Sequence, residues 1–308
     1  MIMKLEEFES LDKKREFFEK TRYDLCDKEA DFDKWYDEMK NKSDFVFRGI
    51  YEAKFRLYTT GQREWLENNL QEKIKYRDFI SGILDETKNN RFLENYISTF
   101  GIVANDLFYM SYLQHYGAPT PLLDFSYSLN TSLFFALEKL NNPFFSCTNS
   151  INKYFSVYYV ELNDSINFFN NVEFFTEFGV EIPQKLSTNF FTRTIDPKKI
   201  HDNIFDNDVL FIPNPLRKSN LFTTDIYWAN LNLVAQDGCF FLYQNEAIPF
   251  EKYLMTKNNP KIEIHCVDIH KSLADYVRNK IKLTKKDVYP ELKDMALESY
   301  ETFKKQLK

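Results

Sequence analysis

Two short stretches of this chain hold residue types that could do chemistry. The first is Phe47-Arg48-Gly49, where a guanidinium stands at the end of an apolar run, next to one of only seven glycines. A guanidinium in that place suits bidentate binding of phosphate. The second runs from Ser111 to Leu140, SYLQHYGAPTPLLDFSYSLNTSLFFALEKL. It gathers Gln114, His115, Tyr116, Thr120, Asp124 and Ser126 around three turn formers, Gly117, Pro119 and Pro121. A strand-to-helix junction of this kind collects polar side chains and free backbone N–H groups over one cleft, which suits anions and nucleotides. The plainer reading is a buried corner in which Asp124 and Ser126 act as caps. A third, smaller cluster, His265, Cys266, Asp268 and His270, looks like a metal set. In a strand, however, His265 and His270 are five apart and face opposite sides, so no metal is expected there.

The elements that must position these residues follow from pattern. Leu107, Phe108, Met110, Tyr112 and Leu113 fit a helix ending near His115, with Gly117 as terminator and Pro119 unable to continue it. Leu122-Leu123-Asp124-Phe125 reads as a brief buried strand. Ser126, Ser128 or Asn130 can cap the next helix, whose apolar stripe is Leu133, Phe134, Leu137 and Leu140. Asp44–Gly49 reads as a strand that puts Val46 and Arg48 on one face and Phe45 and Phe47 on the other. Late in the chain, Ala235-Gln236-Asp237-Gly238 turns into Cys239–Tyr243, an almost unbroken apolar strand.

Residues 3 to 40 are charged and helical in period and read as a helical lead-in. Residues 62 to 110 read as a series of helices, Asn220–Val234 and Lys271–Ile281 as further ones, and a last helix opens near Pro290. Strands are expected near residues 45, 123, 157, 210, 240 and 265. With no internal repeat or linker tract, this predicts an α+β fold, an irregular mixed β-sheet flanked by helical blocks.

Composition narrows the function. The net charge of −6 disfavours a general nucleic-acid coat, because phosphate binding draws on basic surface. The start is charged throughout and no apolar run is long enough to span a bilayer, so a cytoplasmic protein without a membrane partner is expected. The cysteines, Cys26, Cys147, Cys239 and Cys266, form no CxxC and are expected to be reduced thiols, with Cys239 and Cys266 buried in strands. No two glycines have a dinucleotide-fingerprint spacing and there is no GK[ST], which disfavours Rossmann, kinase and P-loop readings.

Together, Phe47-Arg48-Gly49, the run Gln114-His115-Tyr116-Gly117-Ala118-Pro119-Thr120 with Leu122-Leu123-Asp124-Phe125-Ser126, and Ala235-Gln236-Asp237-Gly238 resemble the FRG domain family. In that family the middle motif is typically QHYG-x-PTRLLDWT, followed by a helix ending in ALYFA; here Leu133-Phe134-Phe135-Ala136-Leu137 stands in for that end. Pro121 replaces the usual Arg. The resemblance implies a domain from residue 44 to 308 behind a lead-in of residues 1 to 43. It also implies a role in phage defence or as a toxin, since the family recurs in bacterial, phage and mobile-element proteins.

A weaker likeness to ADP-ribosyltransferases rests on the order of Arg48, a helical block, the Leu123–Ser126 strand with its helix, and Gln236 before a late strand. It implies a split sheet and NAD as substrate. In that reading Arg48 holds phosphate, and His115 is an acid/base or an orienting donor. Tyr116 stacks on a base or nicotinamide ring. Asp124 stabilises an oxocarbenium-like sugar. Ser126 and Gln236 bind ribose, and Gln114, Thr120 and Gly238 complete the ligand contacts. Gln236 stands where a catalytic Glu would be expected; it can hydrogen-bond a hydroxyl but cannot deprotonate a nucleophile. Two other readings stay open: a module that senses a nucleotide or phage component without turnover, and, less favoured, a nucleic-acid-processing toxin. No cofactor or protein partner is indicated.

Overall fold

The computed structural model describes residues 5–99, 104–140, 150–162, 208–212, 214, 231–256 and 262–306. Within them a seven-stranded mixed sheet is built from β1 (Tyr23–Cys26), β2 (Phe45–Ile50), β3 (Leu122–Ser126), β4 (Tyr154–Glu161), β5 (Val209–Ile212), β6 (Gly238–Tyr243) and β7 (Ile264–His270). The spatial order is β1-β7-β4-β2-β3-β6-β5. All pairs are antiparallel except the edge pair β1–β7. The fold is α+β with a mixed sheet.

The sheet is joined unevenly. β2 runs against β4 in continuous register from Phe45↔Glu161 to Ile50↔Ser156, and β3 runs against β6 from Leu122↔Leu242 to Ser126↔Gly238. Between these halves β2 and β3 share one pair, Phe47↔Ser126. Beyond it, Arg48 and Gly49 on one side and Asp124 and Phe125 on the other diverge, and the central strand β2 opens onto a cleft.

Three apolar layers hold this arrangement. On one face, α2 (Glu29–Met39), α7 (Leu129–Glu138) and α10 (Ala274–Ile281) pack against Phe45, Phe47, Val157 and Val267. On the other face, Phe18 of α1 (Leu11–Phe18) and Phe250 of α9 (Phe250–Thr256) cover Val46, Tyr158, Phe241 and Cys266. The opposed placement of Phe45/Phe47 and Val46 is the alternation expected of β2. A third cluster joins α3 (Thr60–Glu67), α4 (Tyr76–Lys88) and α6 (Asp106–His115) to Leu122, Phe240 and Leu242. The short α5 (Arg91–Thr99) packs its Leu93 and Ile97 on Phe108.

The helices start where their caps dictate. Thr59 and Gln62 close a reciprocal capping box on α3, Asn105 accepts from Phe108 N at 3.1 Å on α6, and Ser128 accepts from Thr131 N at 3.2 Å on α7. Of the three candidate caps for α7, Ser128 is the one used.

The lead-in is not wholly helical, as its charge pattern suggests. Tyr23–Cys26 adds β1 to the sheet edge, with Tyr23↔Cys266 and Cys26↔Ile269 in register. This N-terminal segment is further held by Lys14. Its ammonium is completely buried and donates to Ala53 O (2.8 Å), Ser156 Oγ (2.8 Å) and Asp268 Oδ1 (2.7 Å), while Tyr23 donates to Asp268 Oδ2 at 2.8 Å. The paper metal cluster is resolved into separate uses: Asp268 belongs to this network, His265 stacks on Tyr159 and His270 packs against Tyr154. Among the described residues no group of His, Cys, Asp or Glu side chains could hold a metal ion.

Cys26, Cys239 and Cys266 are buried and form no disulfide among the described residues; Cys147, Gly179 and His201 lie outside the described residues. So does most of the helix expected from Asn220, of which α8 (Leu231–Ala235) is the described part. The C-terminal elements are α11 (Lys285–Val288) and α12 (Leu292–Gln306). No helix among the described residues is long and apolar enough to cross a membrane.

Candidate functional site

The split between β2 and β3 opens into a cavity of about 450 Å³. Arg48 and Gly49 line one side, Asp124, Phe125 and Ser126 another, and Gln114 and His115 come from the end of α6. Gln236 and Gly238 come from the turn before β6. The four residues singled out first, Arg48, His115, Asp124 and Gln236, therefore converge although 188 positions separate the first from the last.

Gly49 explains the tripeptide that begins the site. β2 lies so close to α7 that a Cβ at position 49 would stand 1.8 Å from Ser132 O and 2.8 Å from Ala136 N. Only a residue without a side chain allows this approach, and the approach sets the backbone that carries Arg48. Gly117 does its work differently. It has φ +78 at the end of α6, the left-handed conformation that terminates a helix, and open space around its α-carbon. Gly238 is not left-handed; the neighbouring Asp237 takes that role with φ 48, and a Cβ at 238 would meet Leu233 Cδ1 at 2.6 Å.

Arg48 is the hub. Its Nη1 donates to the backbone carbonyl of Asp124, an acceptor that faces the gap where the β2–β3 ladder has ended, and stands 3.6 Å from Asp124 Oδ2. Its Nε is buried and makes no hydrogen bond among the described residues. Burial and the like charge of Arg63 disfavour the guanidinium's positive charge, while Asp124 supports it. Arginine remains charged under such pressure. The ion pair with Asp124 is not the buried one that a structural role would require: the Asp124 side chain is 51% exposed.

Asp124 is oriented by a short relay. Gln114 Nε2 donates to Asp124 Oδ2 at 2.6 Å, and Gln114 Oε1 accepts from Thr120 Oγ1. Thr120, in turn, is tied to the start of α3, with Gly61 N donating to Thr120 O at 2.8 Å and Thr120 N to Thr60 Oγ1 at 3.0 Å. Thr120 is buried and lies outside the cavity wall; it acts on the cleft through Gln114. His115 is half-buried, and burial lowers its pKa from the ordinary histidine value against the opposing pull of Asp124.

Two expected contacts take other roles. Tyr116 is 65% exposed and outside the cavity wall; its ring packs on Tyr112 and His115, with centroids 5.0 and 4.8 Å away. Gln236 lines the cavity, but its side-chain amide donates to Val288 O at 3.1 Å, and its backbone carbonyl accepts from Ser126 Oγ at 2.6 Å. Gln236 thus fastens α11 and the following Tyr289 to the cleft, where Tyr289 donates to Glu138 Oε2 at 2.9 Å and sets its ring against Phe134 and Phe135.

Several wall residues had no sequence signal. Arg63, Tyr51, Ser132, Glu138, Lys139 and Tyr289 all line the cavity. Ser132 Oγ, like Arg48 Nε, is a buried polar atom without a hydrogen-bond partner among the described residues. At position 121 the proline contributes its carbonyl to Tyr243 N at 2.8 Å and brings no cation.

No curated protein and no solved structure matches the chain. Residues 43–143, which hold β2 with Arg48 and the whole motif from Gln114 to Ser126, match the FRG domain family, and the chain carries an FRG domain.

Proposed function

We propose that the cleft between β2 and β3 binds a nucleotide and cleaves the nicotinamide–ribose bond of NAD, releasing nicotinamide and passing the ADP-ribosyl group to water or to an acceptor. The observation that carries this reading is the buried Nε of Arg48, without a partner among the described residues, on a residue that lines one cavity with Asp124 and His115. A buried donor without a partner costs stability, and an anionic ligand would satisfy it. Asp124 has one carboxylate oxygen held by Gln114, and its Oδ1 takes no hydrogen bond from the described residues. That oxygen is the group available to stabilise a cationic sugar. His115, kept toward the neutral form by burial, serves as an orienting donor or proton acceptor.

A second reading has its own support. Gln236, which precedes β6 on the cavity wall, carries an amide that is spent on Val288 O, so no carboxylate stands at that position to activate a nucleophile. A cleft of this construction serves equally as a sensor that holds a nucleotide without turnover. In either case the family resemblance makes an anti-phage or toxin effector the working biological role.

The test is to incubate purified protein with NAD and quantify nicotinamide. The proposal expects release, lowered by Asp124→Asn by about 100-fold or more with nucleotide affinity little changed, since an interaction made only in the transition state affects the rate selectively. Binding of NAD without release selects the sensor. No binding at all overturns both.

A further inference from the structure

Arg63 is a second guanidinium on the same cavity, on α3, and nothing among the described residues neutralises it directly. It is half-buried, and among the described residues no acceptor lies within hydrogen-bond or ion-pair distance of its side chain. Glu67, one turn along α3, and Tyr51 act on it only at longer range. It shares the cavity wall with Arg48, its charge opposes the one on Arg48, and burial disfavours both cations. The helix that carries it is fixed at its first turn to Thr120, in the same relay that orients Asp124. A third cation, Lys139, stands at the wall with its ammonium 5.4 Å from the centre of the Tyr51 ring.

Two half-buried guanidinium groups facing one space are an expensive arrangement for an empty cleft, because each is desolvated and each repels the other. A pyrophosphate, which can set one charged phosphate against each guanidinium, removes both costs. A single phosphate on Arg48 would leave Arg63 as it is. We propose that Arg63 pairs with Arg48 to hold a pyrophosphate group, so that the cleft takes nucleoside diphosphates and dinucleotides in preference to nucleoside monophosphates. This rests on the nucleotide reading of the cleft and adds to it the number of phosphates and the residue that counts them. Arg63 is a binding residue in this account and takes no part in bond cleavage.

Calorimetric titration of the full chain with ADP, AMP and adenosine tests this, using the parent, Arg63→Gln and Arg63→Lys. The parent is expected to bind ADP more tightly than AMP and adenosine weakest. Arg63→Gln should weaken ADP by about 10- to 100-fold, the range for losing charge-assisted hydrogen bonds, and leave AMP within about threefold. Arg63→Lys should restore part of the loss. Thermal melting of unliganded Arg63→Gln is expected to equal or exceed that of the parent, since no internal bond is removed; a structural arginine would lower it. If the parent prefers ADP but Arg63→Gln binds it equally well, the assignment of Arg63 falls and the nucleotide site stands. A parent that binds ADP no better than AMP overturns the pyrophosphate proposal. A parent that binds none of the three overturns the nucleotide reading, and this inference with it.

Discussion

Asp124 and Arg48 illustrate how a contact can be present and yet not structural. Their closest charged atoms are 3.6 Å apart, and half of the Asp124 side chain is in solvent. Pairs of that kind contribute about 0–1 kcal/mol. Asp124→Asn is therefore expected to shift the urea midpoint only slightly, while abolishing most turnover; a large loss of stability would return Asp124 to a structural role. Histidine titration gives a second expectation at this scale. Burial lowers the pKa of His115, His265 and His270 below the ordinary value. The unfolded chain then binds more protons than the folded one at mildly acid pH, so stability falls as pH drops through the ordinary histidine range of about 6.5 and is unaffected above it. Denaturation midpoints that stay flat from pH 7.5 to about 5.5 would contradict this.

Gly49 is where a single residue governs two elements, β2 and α7. With Ser132 O only 1.8 Å from the position of an added Cβ, Gly49→Ala must separate the strand from the helix. We expect a loss of about 3 kcal/mol or more, from overpacking against backbone that cannot yield, and a loss of nucleotide binding, because Arg48 moves with the strand. Gly117→Ala meets no neighbour and pays only for its left-handed φ, about 1 kcal/mol. Chemical denaturation of the two variants should rank them in that order; equal losses would contradict the close-approach argument.

The elements also show what could be read beforehand. The helix ending at His115, the strand through Asp124 and the face alternation of β2 were legible because period, turn formers and glycine positions all agreed. β1 was not, since four residues, Tyr-Asp-Leu-Cys, sit between charged helices and become a strand only through the edge of β7. Arg63 was hidden for a related reason: on Thr60–Glu67 it looks like one of many solvated helix charges, and only the packing of α3 beside Thr120 turns it toward the cleft. Tyr116 differs in the other direction: its motif position suggests a cleft residue, and its ring is exposed outside the cavity wall.

At the scale of the whole molecule, the N-terminal segment is bound into the sheet that forms the site. Lys14, from α1, and Asp268, from β7, form a completely buried pair with Ser156 and Tyr23 completing their hydrogen bonds. Lys14→Met leaves the Asp268 carboxylate buried without its counter-ion and is expected to cost about 3–5 kcal/mol; Asp268→Asn in the same chain should recover part of it. Urea titrations of the single and double variants check this, and additive losses would contradict a coupled pair. The same sheet, held at its edge by this pair, parts at its centre between β2 and β3, and the proposed function depends on that opening. The most direct test is a crystal structure of the protein with ADP-ribose. It is predicted to show the phosphates within hydrogen-bond reach of Arg48 Nε and the Arg63 guanidinium, with the ribose beside Asp124. ADP-ribose bound elsewhere, or a cleft still empty at saturating ligand, would contradict the account.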